Sequence, residues 1–289
     1  MKVNSGKECR LREYPIRVMS FNVRGSFRDM RKSSAWRNRA ASNVSTIERY
    51  APDLIGFQEC QRGNLRAYRK SLPRYVHVRG PRYGNAIHPD SNAILYDPER
   101  LELLDSGGFW LSETPERYSR SWGARVVRSV NWALFEVPGA ALSLLHLNTH
   151  LDHKSGLARR EGSKLILQRA AELSDRHGDV PAIVVTGDFN SRPGSPPYQN
   201  FAKTGFVDTY LAAGNEDTKD ANTFHAFEGT RFRDAHPERG PRRLDWILLK
   251  DLRNRLRIET HRIVRDGDER SGLYPSDHYP VLAELALTG

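Results

Sequence analysis

The chain has 289 residues, a formal net charge of +10 and 38% hydrophobic residues, and no Gly/Ser-rich linker or low-complexity tract divides it. This composition excludes a disordered or fibrous protein and favours one large globular domain over residues 16–289, preceded by an N-terminal extension at residues 1–15. The extension has no apolar export segment and no stretch approaches about 18 apolar residues, so we predict a soluble, cytoplasmic protein without a membrane span.

The positive charge comes mostly from arginine, whose guanidinium matches phosphate oxygens in bidentate geometry. Arginines concentrate at 28–39, 62–82, 117–128 and 231–243, yet none of these stretches resembles a known nucleic-acid-binding module. Nucleic acid is therefore one candidate partner, and a solvated arginine-rich surface is the alternative. Cys60 falls in an apolar stretch and, like Cys9, lacks metal-type spacing, so we expect a buried free thiol.

The first part of the chain alternates strand and helix patterns. The predicted elements are a strand over 16–23, a helix with Trp36, Ala40, Val44 and Ile47 on one face, a strand over 53–60, a basic helix over 61–72 and short strands over 75–80 and 91–96. We expect Ser33 or Ser34 to cap the first helix. Asn22 and Glu59 then lie at the carboxyl ends of two strands, where an isolated polar residue in an apolar run needs an explanation.

The second part begins with a predicted loop over 109–128 that is rich in aromatics and arginine and either faces a substrate or covers the sheet. The elements predicted after it are a hairpin of 130–137 and 141–149, a helix over about 156–177, a strand ending near Asp188, a strand over 244–249 and a closing strand over 281–287. His150 falls at the end of the second hairpin strand. It is either a satisfied structural histidine or a site residue.

The stretch Thr186–Pro193 is predicted to end a strand at the edge of the active site. The apolar run 182–185 predicts a strand covered on both faces, and Gly187 and Pro193-Gly194 end it. If the backbone stays extended, the side chains of Asp188 and Asn190 point the same way and can hold a water and a phosphate oxygen. An Asx turn that closes the strand is the simpler alternative.

Eight polar side chains lie at or beside predicted strand ends: Asn22, Glu59, His150, Asp188, Asn190, Asp245, Asp277 and His278. A sheet edge brings such residues into one site although they are spread along the chain. The sequence has no G-x-S-x-G elbow, Walker loop, dinucleotide glycine motif or H-E-x-x-H motif. The oxygen ligands suit a hard cation, Mg²⁺ or alternatively Mn²⁺.

Six motifs occur in an order that resembles the endonuclease/exonuclease/phosphatase superfamily. They are F-N-V-R at 21–24, Q-E at 58–59, N-T-H-L at 148–151, G-D-F-N-S at 187–191, L-D-W-I at 244–247 and S-D-H at 276–278. The resemblance covers about residues 16 to 287 and implies a four-layer α/β/β/α sandwich of two packed mixed sheets flanked by helices. It also implies a Mg²⁺-dependent phosphoesterase site at one rim.

The resemblance further implies a role for each of these positions. Metal ligands would be Glu59, Asn22 and Asp277, and the catalytic set would be Asp188, Asn190, His278, His150 and Asp245. In that set Asp188 orients or deprotonates the attacking water, and Asn190 holds that water or a phosphate oxygen. His278 contacts the phosphate while Asp245 fixes its tautomer, and His150 is a candidate general acid or phosphate ligand.

The substrate stays open at this point. The inositol-phosphatase branch carries Trp-Cys-Asp-Arg where this chain has Arg-Arg-Leu-Asp-Trp, and the N-T-H-L and L-D-W-I motifs resemble the deadenylase-like and sphingomyelinase-like branches more closely. We expect a hydrolase that cleaves phosphodiesters in nucleic acid. The alternatives are a small or lipid-borne phosphoester as the substrate, and a non-catalytic binding module on the same fold.

Overall fold

A computed structural model describes residues 15–30, 32–78, 80, 92–236, 242–268 and 270–288. The strands are β1 (Ile16–Asn22), β2 (Leu54–Gln58), β3 (Val76–Val78), β4 (Ala93–Tyr96), β5 (Glu102–Trp110), β6 (Ser129–Val137), β7 (Leu142–His150), β8 (Ala182–Asp188), β9 (Val207–Asp208), β10 (Asp245–Asp251), β11 (Leu256–Ile263) and β12 (Val281–Leu287). The helices are α1 (Trp36–Tyr50), α2 (Arg62–Ser71), α3 (Gly156–Arg176), α4 (Pro196–Lys203), α5 (Thr209–Ala212) and α6 (Thr230–Ala235).

The strands form two mixed six-stranded sheets, in the orders β11-β12-β1-β2-β4-β3 and β5-β6-β7-β8-β10-β9. One apolar core lies between the sheets, with residues such as Val18 from the first sheet and Val184 from the second. A second core joins Ile166 of α3 to the outer face of the second sheet, and a third joins Ile47 of α1 to the outer face of the first. The predicted sandwich of two sheets flanked by helices is confirmed.

Strand register explains how one rim of the sandwich becomes polar. Strands β7 and β8 are parallel, and their last residues, His150 and Asp188, are partners. Strand β10 runs antiparallel to β8, so its first residue, Asp245, is also paired with Asp188. In the first sheet β1 and β2 are parallel and bring Asn22 beside Gln58. Parallel neighbours place their carboxyl ends at the same edge, and an antiparallel neighbour adds its start there.

A polar network interrupts the core between the sheets, just inside this rim. Asn148 Nδ2 donates to the carbonyl oxygens of Phe57 (2.7 Å) and Ala93 (3.1 Å), so one side chain from the second sheet bonds the backbone of the first. Its Oδ1 accepts from Gln58 Nε2 at 2.7 Å and from the Thr186 hydroxyl at 3.1 Å. Buried amides are stable only when satisfied in this way, and the network fixes one sheet against the other.

Several local predictions need correction. The N-cap of α1 is Ala35, which makes no side-chain cap hydrogen bond, and neither Ser33 nor Ser34 takes that role. Phe109 and Trp110 end β5, a strand paired with β6, so the loop begins after them. Strands β5, β9 and β11 were not predicted.

Other features agree with the sequence. Cys60 is buried in the core and forms no disulfide among the described residues, and its burial raises the thiol pKa. Every helix among the described residues is too short or too polar to cross a bilayer. The predicted extension at 1–15 falls outside the described residues except for Pro15, as do most residues between the two short strands β3 and β4.

Candidate active site

The Asp188 carboxylate is the centre of the rim site and is 2% exposed. Its Oδ2 lies 3.0 Å from Asn22 Nδ2, 3.3 Å from His150 Nε2 and 3.7 Å from His278 Nε2. Its Oδ1 accepts the backbone N–H of Asn190 at 2.9 Å. Residues from β1, β7 and the segment before β12 therefore converge on one carboxylate at the end of β8.

His278 and Asp245 form a buried pair in which His278 Nδ1 lies 2.8 Å from Asp245 Oδ2. Burial disfavours the imidazolium, but the charges of Asp245 and Asp188 outweigh that effect and raise the pKa of His278. Since Asp245 holds the Nδ1 proton, the Nε2 side of the ring faces Asp188 and the cavity. A protonated His278 has an N–H available for a phosphoryl oxygen.

The pKa values of His150 and Asp188 are both shifted in the direction that disfavours the charged form. Burial lowers the pKa of His150 well below its usual range, with help from the positive charges of Arg128 and His278. Burial raises the pKa of Asp188, and the Asp245 charge adds to this, although His278 opposes it. A carboxylate with a raised pKa is a better proton acceptor, which is the property expected of a general base.

Asn190 reaches the site by a different backbone path from the one predicted. Its φ of 46° lies in the left-handed region, so residues 188–190 do not continue as an extended strand. The Asp188–Asn190 hydrogen bond is the Asx turn considered as the alternative, and it still leaves Asn190 in the site. The Asn190 Nδ2 atom is 3.0 Å from His150 Nε2 and 3.1 Å from the Leu151 carbonyl oxygen. The turn and the site role are therefore compatible.

The three predicted metal ligands line the same rim. Asn22 Nδ2 donates to Glu59 Oε1 at 3.3 Å as well as to Asp188, which holds the two carboxylates on either side of one amide. Glu59 follows β2 with a φ of 55°, a left-handed backbone that turns the chain at the strand end. Asp277 shares the cavity, and its Oδ2 is 3.3 Å from Arg24 Nη1.

The donors in this part of the site fit a hard divalent cation. Glu59, Asp277, Asp188 and Asn22 offer carboxylate and amide oxygens, the ligands that Mg²⁺ prefers. Glu59 Oε2 is buried and makes no well-formed hydrogen bond with a described residue, although Arg28 Nε lies 2.9 Å away. Asp188, Asp245 and His278 also bring ligand atoms within 4.8 Å of one another. The ligand set predicted from sequence stays a prediction.

Five arginines surround the carboxylates and are the main feature that sequence reasoning did not place. Arg24, Arg28, Arg125, Arg128 and Arg242, here called the arginine wall, line a cavity of 420 Å³ together with Glu59, His150, Asp188, Asn190, Asp277 and His278. Arg242 also stacks its guanidinium over Phe224, with 4.8 Å to the ring centroid. The cluster at 117–128 contributes two of these residues and the clusters at 28–39 and 231–243 contribute one each, so spacing within a cluster did not indicate that they converge.

Asp152 holds the loop that carries Arg125. Its Oδ2 accepts the backbone N–H groups of Arg125 (2.8 Å) and Val126 (3.2 Å), and its Oδ1 accepts those of Lys154 (2.8 Å) and Ser155 (2.7 Å). These backbone bonds outweigh the effect of burial and lower the pKa of Asp152. The predicted loop over 109–128 thus faces the cavity with its last residues.

Arg39 holds two backbone segments that carry residues of the cavity. This fully buried side chain of α1 donates to the carbonyl oxygens of Val23 at 2.6 Å and Pro275 at 3.0 Å. The two carbonyls lie beside the segments that carry Arg24 and Asp277. Burial lowers the pKa of Arg39 to about 10. One cation therefore ties two site loops together.

The fold is a sandwich of two helix-covered mixed sheets, and Asp, His and Asn side chains cluster at one rim of it. The sequence profile of the Endonuclease/Exonuclease/phosphatase family matches residues 19–278. The chain belongs to this family, and the resemblance inferred from the six motifs is confirmed.

Solved structures of similar fold cover almost the whole chain. An endonuclease/exonuclease/phosphatase from Bacteroides vulgatus is 27% identical with a TM-score of 0.81, and the match covers 94% of this chain and 99% of that one. A mannosyl-6-phosphatase from Bacteroides thetaiotaomicron is 26% identical with a TM-score of 0.80, over 93% and 99% of the two chains.

Among curated proteins, protein L388 of Acanthamoeba polyphaga mimivirus, itself uncharacterized, is 28% identical over 113 residues, which are 37% of this chain and 42% of that protein. The chain spans less than half the length of the curated relatives it matches, 42% of one and 29% of another.

Proposed function

We propose that this protein is a divalent-metal-dependent hydrolase of phosphoesters, with Mg²⁺ as the cation and Mn²⁺ as a substitute. One observation carries the proposal: a buried carboxylate, Asp188, stands within 3.7 Å of His278 at the floor of a cavity lined by five arginines. A base beside a cationic phosphate clamp is the arrangement that in-line attack of water on phosphorus requires.

The side chains divide the work as follows. Asp188 accepts a proton from the attacking water, and Asn190 and His150 hold that water in line. His278 donates a hydrogen bond from its Nε2–H to a phosphoryl oxygen. Asp245 accepts a hydrogen bond from the Nδ1–H of the same ring and so fixes its orientation. Glu59, Asn22 and Asp277 would hold the cation, which when bound polarises the phosphoryl group and neutralises charge on the leaving oxygen.

Nucleic acid is the substrate we favour. The arginine wall and the net charge of +10 give the rim a strong attraction for a polyanion, and each arginine can contact a separate phosphate oxygen. Such binding weakens steeply as salt rises, because binding releases cations from the polymer and their release is less favourable at a high salt concentration.

A sugar phosphate is the second candidate. It is supported by the mannosyl-6-phosphatase neighbour and by the cavity volume of 420 Å³, which lies in the range of small-molecule sites. Turnover of a small monoester would depend much less on salt than cleavage of a polymer.

The first experiment compares wild type with Asp188→Ala on single- and double-stranded DNA, RNA, bis-nitrophenyl phosphate, mannose 6-phosphate and sphingomyelin, with Mg²⁺, Mn²⁺ or EDTA. Glu136→Ala, which removes an exposed carboxylate on β6, is the matched control. We expect cleavage that EDTA abolishes, that Asp188→Ala lowers by roughly two to four orders of magnitude, and that the control retains.

Either substrate class gives a distinct pattern. Polymer cleavage that is sensitive to salt supports a nuclease, and activity confined to mannose 6-phosphate or another small ester supports the second candidate. Binding of a phosphorylated ligand with no turnover under any condition would instead indicate a non-catalytic module. The cytoplasmic location stays a prediction from the sequence.

A further inference from the structure

Thr223 is a fully buried threonine in a loop that no sequence motif singled out. It lies in the short segment 223–226, which runs beside residues 277–279 and is bridged to them at Phe224 and His278. The Tyr279 N–H donates to the Thr223 carbonyl oxygen at 2.7 Å, and the His225 N–H donates to the Asp277 carbonyl oxygen at 2.9 Å. The backbone on either side of His278 is therefore held by this segment.

The Thr223 side chain bonds a different part of the chain. Its hydroxyl accepts the backbone N–H groups of Leu244 at 2.9 Å and Asp245 at 3.2 Å, and it donates to the Arg242 carbonyl oxygen at 3.2 Å. A hydroxyl has one hydrogen and two lone pairs, so all of its bonding capacity is spent on the start of β10.

The two sets of contacts meet at the Asp245–His278 hydrogen bond. Those residues are 33 positions apart in sequence, and His278 lies outside the strands of both sheets. Thr223 binds the backbone of Asp245 through its side chain and the backbone next to His278 through its main chain. One residue is therefore hydrogen-bonded to the backbone of Asp245 and to the backbone next to His278.

We propose that Thr223 is a positioning residue that fixes the Asp245–His278 pair in its reactive geometry, which rests on the phosphoesterase function proposed above. A displacement of about 1 Å between reacting groups can lower a rate about 100-fold, so loss of the hydroxyl changes turnover even when the protein stays folded. The Arg242 carbonyl oxygen also accepts the backbone N–H of Thr223 at 3.1 Å, a bond that the substitution leaves in place, so the arginine wall is retained and substrate binding changes little.

The test is a graded series at position 223. Thr223→Ser keeps the hydroxyl, Thr223→Cys keeps a weak acceptor of similar size, and Thr223→Val keeps the shape but removes the acceptor. We expect kcat close to wild type for Ser, intermediate for Cys, and about 10- to 100-fold lower for Val, with KM changed by less than about threefold in each. If the Val protein does not fold, the difference in kcat between Thr223→Ser and Thr223→Cys still tests the role of the hydroxyl.

Thr209→Val is the matched control. Thr209 is also fully buried and its hydroxyl donates to a β10 carbonyl, that of Ile247 at 2.8 Å, but it is not bonded to Asp245 or His278. We expect this variant to lose stability and keep the wild-type kcat. Equal kcat values across the 223 series, or an equal loss in the Thr209→Val control, would overturn the positioning role.

A spectroscopic measurement separates this inference from the hydrolase proposal. The Nδ1 proton of His278, bonded to a carboxylate, is expected as a downfield, exchange-protected resonance that disappears in His278→Asn. It should persist in Thr223→Ser and Thr209→Val and shift or broaden in Thr223→Val. If no phosphoester is hydrolysed by wild type, this resonance still decides the role of Thr223, and an unchanged signal in Thr223→Val would overturn it.

Discussion

Replacing His261 with asparagine should make the protein more resistant to acid. His261 lies in β11 and is 5% exposed. Its Nδ1 is 2.7 Å from the Thr209 hydroxyl oxygen, which in turn donates to the Ile247 carbonyl oxygen, so Nδ1 carries the ring proton. Nε2 is buried without a hydrogen-bond partner among the described residues. The side-chain amide nitrogen of asparagine can take the place of Nδ1.

The magnitude follows from the pKa difference between the folded and unfolded states. Burial, reinforced by the charge of Arg243, lowers the pKa of His261 to about 3, against about 6.5 in an unfolded chain. Below about pH 6.5 the unfolded state binds a proton that the folded state does not, so the free energy of unfolding falls with pH down to about 3. At pH 4.5 the loss from this one histidine is about 2 to 3 kcal/mol, because each pH unit is worth about 1.4 kcal/mol.

The assay is urea unfolding of wild type and His261→Asn at pH 7.5 and pH 4.5, followed by tryptophan fluorescence. Other titrating groups are the same in both proteins and cancel in the comparison. We expect wild type to lose about 2 to 3 kcal/mol more than the variant between the two pH values. Equal losses in the two proteins would show that His261 is protonated inside the fold, and would refute the reasoning.

Three further changes test the rim and the core beneath it. Gly56→Ala places a Cβ 2.1 Å from the Thr186 hydroxyl oxygen, and overpacking of this kind should lower the free energy of unfolding by about 1–3 kcal/mol. Thermal unfolding measures this loss, and Gly156→Ala is the neutral control because the nearest atom to its new Cβ is 3.8 Å away. Asp152→Asn turns an amide N–H₂ towards backbone N–H groups that the carboxylate now accepts, so the Arg125 loop should shift and KM should rise more than kcat falls; unchanged steady-state kinetics would contradict a role for that loop in binding. Asp245→Asn removes the charge that stabilises the imidazolium, and kcat should drop by roughly two to four orders of magnitude with the circular dichroism spectrum unchanged, whereas near-normal turnover would argue against the assigned pair.

Much of the fold could be predicted from the sequence because local patterns of apolar residues encode strands and helices. The apolar run before Asp188 predicted a buried central strand, and that strand is completely buried. The helix predicted over 156–177 agrees with α3 because Ile166, Ala170 and Leu173 repeat at helical spacing and all three are buried. Polar residues at the ends of such runs stood out for the same reason. Burying such residues costs folding free energy unless they are hydrogen-bonded, so a polar residue in an apolar run indicates either a bonded partner or a functional role.

Other features were hidden from local reading. Strand β5 escaped because its residues from Glu102 to Gly108 are mostly exposed and mix polar residues with glycine, so neither strand alternation nor an apolar run marks it. The left-handed backbone of Glu59 and Asn190 was also missed, since neither residue type demands a positive φ. Pairing with neighbouring strands decides such positions.

The sequence by itself predicted which residues would carry the chemistry, and the tertiary structure decided which of them meet. Asp245 aligns with Asp188 only because β10 runs antiparallel to β8, and the arginine wall forms only because three separate loops end at one rim. Charge and side-chain type are written in the chain residue by residue. Their distances are set by strand register and by buried bonds such as those of Asn148 and Arg39, which connect segments far apart in sequence and leave no local signal.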